Sequence, residues 1–84
     1  MVIDLLRTGR TAFVYKRVRG LPPEAKCALY RVITGEVEVP QLSVDLRYEL
    51  GKVGFVKPAF GHTPDEFNEQ HRPFIEQWFK LNPL

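Results

Sequence analysis

LSVDLRYELGKVGFV, residues 42–56, decides the fold because it fits two kinds of secondary structure. Apolar residues occupy every second position from Leu42 to Leu50, which is typical of a strand with one buried face. The series Leu42, Leu46, Leu50 and Val53 also advances by four, four and three residues, which is typical of one face of a helix. The two interpretations expose different side chains, so the function depends on which one holds.

As a strand, residues 41–50 would turn at Gly51 and Lys52 and return as a second strand at 53–57. The apolar residues of both strands would then share one face, and the polar residues would form plain surface. We favour this hairpin because its alternation is uninterrupted. The helical interpretation stays open beside it.

As a helix, the stretch LRYELGKVGFVK (46–57) resembles the end of the recognition helix of winged helix-turn-helix regulators, in which a leucine stands four residues before a glycine that two apolar residues follow. The resemblance covers at most residues 24–57 and implies DNA binding, with a wing that begins at GFVKP. It implies a set of exposed residues: Gln41, Ser43, Asp45, Arg47, Tyr48 and Lys52. Among them, it makes Arg47 the residue that reads guanine.

The remaining chain predicts two helical regions and further short strands. A helix over about 22–34 begins at two prolines and ends at Gly35, with apolar residues at helical spacing between them. Residues 2–8 fit a short helix or strand, while 11–19, rich in β-branched and aromatic residues, and 35–39, which alternate, predict strands. A C-terminal helical segment over about 64–80 is predicted to kink or break at Pro73 into helices 64–71 and 73–80.

These elements predict an α+β fold: a small antiparallel sheet packed by the helix at 22–34 and the C-terminal helical segment, with a winged helix-turn-helix-like fold as the alternative. With 84 residues, the chain is expected to form a single domain, 1–84. Its single cysteine, Cys27, excludes an intrachain disulfide and fits a reducing compartment. No apolar run is long enough to span a membrane, so we expect a cytoplasmic protein.

The charges are unevenly distributed along the chain. Residues 1–31 carry seven basic and two acidic residues, a net +5, whereas residues 32–84 carry five and eight, a net −3. Basic residues bind polyanions by releasing counterions. The sequence therefore predicts a small regulatory or accessory protein that binds DNA or RNA through its basic N-terminal third, with phosphate contacts from Arg7, Arg10, Lys16, Arg17 and Arg19.

No motif predicts an enzyme, a metal site or a cofactor. The possible metal ligands are His62, Asp65, Glu66, Glu69 and His71. Asp65 and Glu69 have the spacing that brings side chains together on a helix, but His71, two residues beyond Glu69, points elsewhere. Cys27 has no histidine near it in sequence, and Gly51-Lys52-Val53-Gly54 matches a KH-type GxxG loop but is not followed by a helical pattern.

The alternative function is a protein-protein interaction module, such as an inhibitor or adaptor. The C-terminus is rich in aromatic residues, which give a large contact area at a small entropic cost. Trp78 and Phe79 are adjacent and cannot both face the same way. A protein partner or a second copy of the chain would then dock on Phe74, Trp78 and Phe79.

Overall fold

A computed structural model describes residues 2–58 and 64–83 of the chain. They form an α+β fold of four helices and one two-stranded antiparallel sheet: α1 (Val2–Arg19), α2 (Pro23–Ile33), α3 (Val44–Lys52), β1 (Val56–Pro58), β2 (Pro64–Phe67) and α4 (Arg72–Leu81). Short 3₁₀ helices at Val39–Gln41 and Glu69–His71 precede α3 and α4. Within these residues, no helix has both the length and the apolar content that crossing a bilayer requires.

The stretch at 42–56 is helical, so the prediction of a hairpin over 41–57 is wrong. Helix α3 begins after Ser43, whose hydroxyl accepts a hydrogen bond from the Leu46 amide at 3.3 Å. This N-cap satisfies a backbone donor that a helix start otherwise leaves unpaired. Leu50 is fully buried, whereas Val44 and Tyr48 are each 49% exposed. The apolar positions of the strand pattern are therefore divided between the core and the surface.

Glycines terminate α2 and α3 in the same way. Gly54 has a φ of +83°, its amide donates to the Gly51 carbonyl, and the Phe55 amide donates to the Leu50 carbonyl at 3.1 Å. These two bonds form a Schellman motif, which favours glycine at the left-handed position and an apolar contact across it. Leu50 and Phe55 are both fully buried. The GKVGF segment is thus the end of a helix followed by an abrupt turn into β1.

Residues 11–19 are the second half of α1, and the prediction of a strand there is wrong. Val14 and Val18 are buried and lie four residues apart, so they form the inner face of the helix. Leu21, just after the end of the helix, is buried as well. Gly9 does not interrupt this helix. Burial of these side chains outweighs the weak strand preference of valine, threonine and the aromatic residues.

Two further predicted elements differ from the structure. Residues 35–39, predicted as a strand, form a turn and bend that lead into the 3₁₀ helix Val39–Gln41. The predicted helix at 64–71 is wrong, because Pro64–Phe67 is strand β2 and pairs with β1, Val56 opposite Phe67. Pro73 lies in the first turn of α4, where a missing amide costs nothing, so the helix starts there instead of kinking.

One core joins all the elements. Its buried apolar side chains come from both α1 and α4, from α2 and α3, and from the two strands. The fully buried side chains of largest volume are Phe55, Leu29, Leu50, Ile75, Val14 and Val18. The helix predicted over 22–34 is confirmed as α2, whose buried residues Ala25, Ala28, Leu29 and Val32 are the predicted apolar face. This core holds α3 between α2 and the sheet.

We expect Ser43→Ala to lower the free energy of unfolding by about 1 kcal/mol, because the substitution leaves the Leu46 amide without its cap. The matched control is Ser43→Asp, whose carboxylate restores an acceptor at the positive end of the α3 dipole. Urea denaturation of the three proteins provides the measurement. Equal stability of the alanine and aspartate variants would contradict the capping role.

Candidate nucleic-acid interface

Helix α3 projects an exposed face that follows directly from its packing. Leu46 and Leu50 point towards the core, which turns Val44, Asp45, Tyr48 and Lys52 outward. The order α2, α3 and then the β1–β2 hairpin is the order that the winged helix-turn-helix resemblance implies. The connection between α2 and α3 runs over residues 34–43, which is longer than the three or four residues of the simplest helix-turn-helix.

The last turns of α1 lie beside the C-terminal end of α3. Together they form an open concavity of about 430 Å³ lined by Phe13, Lys16, Arg17, Gly20 and Val53. The guanidinium carbon of Arg17 lies 4.4 Å from the centre of the Phe13 ring, a cation-π contact. Phe13 is 45% exposed even so. A cationic surface with an accessible aromatic ring therefore borders α3.

The predicted phosphate-binding residues all lie in α1. Lys16 and Arg17 line the concavity beside α3, whereas Arg19 is exposed in the last turn of the helix and does not line it. The side chains of Arg7 and Arg10 lie outside the described residues. The structure thus brings two of the five together with α3. Lys52, one residue before Val53, is exposed and bonds Glu49 through its Nζ atom at 3.1 Å.

An acidic groove lies on another side of α3. It is about 440 Å³ in volume and runs between the N-terminal ends of α2 and α3. Its charged lining consists of Glu24, Asp45 and Glu49, and of these the Glu49 carboxylate is paired with Lys52. Carboxylates repel phosphate groups. Helix α3 therefore separates a cationic concavity from an anionic groove.

The residues implied by the resemblance have different environments. Five of them are exposed: Gln41, Ser43, Asp45, Tyr48 and Lys52. The Ser43 hydroxyl already accepts the N-cap hydrogen bond of α3. Arg47 is half-buried, and its buried Nε has no hydrogen-bond partner among the described residues. The guanine-reading arrangement requires a guanidinium that extends from the helix into solvent. The burial of its Nε atom sets Arg47 apart from the exposed residues of this set, and its contact with guanine stays a prediction.

An ion pair joins the sheet region to α4. The Arg72 guanidinium donates to both carboxylate oxygens of Glu69, at 2.6 and 3.1 Å, and lies 4.7 Å from the centre of the Phe67 ring. This hydrogen-bonded cation holds the pKa of the Glu69 carboxyl below its usual value, and the carboxylate raises the pKa of Arg72. The Glu69 carboxylate therefore serves a structural contact with Arg72 at the N-terminal end of α4.

A metal site needs several ligating side chains that converge on one point. Within the described part of the chain, no three histidine, cysteine, aspartate or glutamate side chains lie close enough to hold an ion. His62 and the side chain of Asp65 lie outside the described residues. Cys27 is an exposed thiol on α2.

The predicted aromatic docking residues are mostly part of the core. Trp78 and Phe79 are buried, and Phe74 is half-buried and packs against the core. Trp78 and Phe79 are in edge-to-face contact, with ring centres 5.1 Å apart. The prediction that these side chains form an exposed partner surface is therefore wrong for Trp78 and Phe79. Both rings also contact α2: the Trp78 ring centre lies 5.6 Å from the Lys26 Nζ atom, and the Phe79 ring packs edge-to-face on Tyr30.

Sequence reasoning missed Phe13 and the acidic groove. Phe13 and Arg17 are four residues apart, which is the spacing at which side chains meet on a helix, so a helical interpretation of residues 11–19 identifies the pair. The groove combines Glu24 of α2 with Asp45 and Glu49 of α3. Nothing in the local sequence connects these residues.

Comparison with known proteins gives no relative: no protein-family model, no curated protein and no solved structure matches the chain significantly.

Proposed function

We propose that this chain is a small non-enzymatic regulatory protein of the cytosol that binds double-stranded DNA with α3 and the last turns of α1. The observation that carries the proposal is the cationic concavity beside the C-terminal end of α3, lined by Lys16, Arg17 and the exposed Phe13. A helix fits the major groove of DNA, while basic residues beside it bind the phosphates.

The charge separation across α3 supports one orientation on DNA. Lys16 and Arg17 attract the phosphate backbone, and Glu24 in the acidic groove repels it. Contact with bases falls to the exposed face of α3. There, the exposed Val44 suits the methyl group of thymine.

The affinity in this arrangement comes mainly from phosphates. Lys16, Arg17 and Arg19 offer up to three phosphate contacts, since Lys52 is already paired with Glu49. The logarithm of the affinity is therefore expected to fall with the logarithm of the salt concentration with a slope of about −2 to −3. Fluorescence anisotropy with a labelled duplex of mixed sequence, titrated at several salt concentrations, measures that slope. Absence of binding at low salt would refute the proposal.

Arg17→Glu is expected to weaken duplex binding by at least about tenfold and to lower the salt slope by about one, because one phosphate contact is lost and replaced by repulsion. The matched control is Arg31→Glu, which changes the net charge equally at an exposed position of α2 outside the concavity. The same anisotropy titration measures both variants.

We expect Arg31→Glu to bind the duplex within about threefold of the unmodified protein. A loss of that size is what a change in net charge produces when no contact with the duplex is removed. Equal losses for Arg17→Glu and Arg31→Glu would contradict a localised interface. Circular dichroism of both variants excludes loss of fold as the cause. A single-stranded RNA that competes as well as the duplex would replace DNA by RNA as the ligand.

A further inference from the structure

A second exposed groove lies between the end of α2 and the outer side of α4, and it has a different character from the concavity beside α3. Its volume is about 430 Å³, and its apolar lining comes from Tyr30, Ile33, Phe79 and Pro83. Tyr30 is 37% exposed, although its ring contacts Phe79 edge-to-face with ring centres 5.1 Å apart. An accessible aromatic ring therefore lies over a buried one.

The groove carries one charge of each sign. Glu76 and Lys80 line it one helical turn apart on α4, and both side chains are exposed. Neither forms a close ion pair within the described part of the chain, although the Glu76 carboxylate helps to raise the pKa of Arg72, one turn earlier on α4. Both side chains remain exposed to a partner that brings the opposite sign at the same spacing.

We propose that this groove is the contact between two copies of the chain, related by a two-fold axis. When two α4 helices pack antiparallel with the axis level with Trp78, Glu76 of each copy faces Lys80 of the other. The contact then contains two equivalent ion pairs that flank the apolar residues. A partner whose charges are all of one sign would leave either Glu76 or Lys80 unpaired, which disfavours it relative to a second copy.

The proposed contact is small. Its apolar centre consists of Tyr30 and Ile33 from α2, with Pro83 after α4. Interfaces of limited area are weak, so we expect a dissociation constant of about 10 to 100 μM. The dimer is expected in the absence of nucleic acid, which makes the proposal independent of DNA binding.

Sedimentation equilibrium of the full chain over a range of concentrations tests the proposal. Glu76→Lys and Lys80→Glu are each expected to weaken the dimer by about tenfold. In each variant, positions 76 and 80 carry charges of the same sign, so both of the 76–80 contacts in the dimer become repulsive. An equimolar mixture of the two variants is expected to dimerise within about threefold of the unmodified protein, since each unlike pair restores opposite charges. The double variant Glu76→Lys with Lys80→Glu is expected to behave in the same way.

Lys57→Glu is the matched control, because Lys57 is exposed on β1 and does not line the groove. Its dimerisation is expected to be unchanged. An unmodified protein that remains monomeric up to about 1 mM would overturn the proposal. So would single variants that dimerise normally, or a mixture of variants that fails to recover the dimer.

Discussion

Leu50→Ala is expected to lower the free energy of unfolding by about 3 kcal/mol, whereas Tyr48→Ala is expected to change it by less than about 1 kcal/mol. The reason is that Leu50 lies in the core and Tyr48 lies on the surface, although only one residue separates them in the sequence. Leu50 is fully buried, and truncation leaves a cavity that the surrounding core can fill only partly. Tyr48 is 49% exposed on the outer face of α3.

The comparison separates the helix from the hairpin directly. In a strand, residues two apart lie on the same face, so both substitutions would remove side chains from one packed surface and both would be costly. In helix α3 they point in different directions. Chemical denaturation in urea measures both values, provided that the slope with denaturant is the same for each variant.

Leu81→Ala is the matched control for the leucine truncation, because it makes the same chemical change at a side chain that is 62% exposed. Its expected cost is below about 0.5 kcal/mol. Similar losses for Tyr48→Ala and Leu50→Ala would contradict the helical assignment of the segment. A loss for Leu81→Ala as large as that for Leu50→Ala would show that truncation costs do not follow burial in this fold.

Helix α2 could be predicted from the sequence because its determinants are local. Two prolines start it, Gly35 ends it with a φ of +81°, and the apolar residues between them follow helical spacing. Helix α1 could not be recognised from propensity over residues 11–19. The choice there depends on the burial of Val14 and Val18, which tertiary contacts determine.

Residues 42–56 fit both a hairpin and a helix, and the residues at the two ends of the segment distinguish between them. A serine at position 43 caps the first turn, and a glycine at position 54 adopts the left-handed conformation between the buried Leu50 and Phe55. These signals are present in the sequence as the N-cap and Schellman patterns. Apolar alternation alone ignores them, because it describes the middle of an element and not its ends.

The candidate site was only partly accessible to sequence analysis. The uneven charge distribution identified Lys16 and Arg17, because a cluster of like charges is visible without a fold. Their position beside Val53 of α3 required the tertiary structure, as did the placement of Trp78 in the core. Composition therefore led to the prediction of a polyanionic ligand, while the fold shows which of the predicted basic residues lie beside α3.

Charge and packing together assign different tasks to the faces of α3. Its inner face, with Leu50, joins the core, and its outer face, with Val44 and Tyr48, remains exposed. Single exposed side chains of this kind are ordinary on a protein surface. The concavity at the end of α3 is cationic, and the groove beside its start is anionic. The orientation on DNA that we propose depends on this difference in charge.

Phe55→Ala is expected to have the largest effect on stability, a loss of about 4 kcal/mol. Phe55 is fully buried at the point where α3 turns into the sheet, and its ring lies 5.8 Å from the His71 ring in an edge-to-face arrangement. Its backbone also connects three parts of the chain. Its amide donates to the Leu50 carbonyl at 3.1 Å, and its carbonyl accepts from the Asn68 amide at 2.8 Å.

A domain of 84 residues has a total stability on the order of 4 to 13 kcal/mol, so this loss is a third of it or more. Two control substitutions test whether the loss of stability comes from the lost buried volume. Phe55→Leu keeps most of the buried volume and is expected to cost about 1.5 kcal/mol or less, and Phe13→Ala removes an exposed ring and is expected to cost less than about 1 kcal/mol.

Thermal and urea denaturation measure the global effect of Phe55→Ala, and amide hydrogen exchange shows where the structure opens. The Phe55 and Asn68 amides are hydrogen-bonded across the junction of α3 with the sheet, so both are expected to lose protection in Phe55→Ala. If the Phe55 ring packs only against the sheet, the Phe55 and Asn68 amides would exchange faster while the amides of α3 kept their protection. If the ring joins the two elements, as its burial in the core shared by Leu50 of α3 and by both strands indicates, the amides of α3 and of the sheet lose protection together.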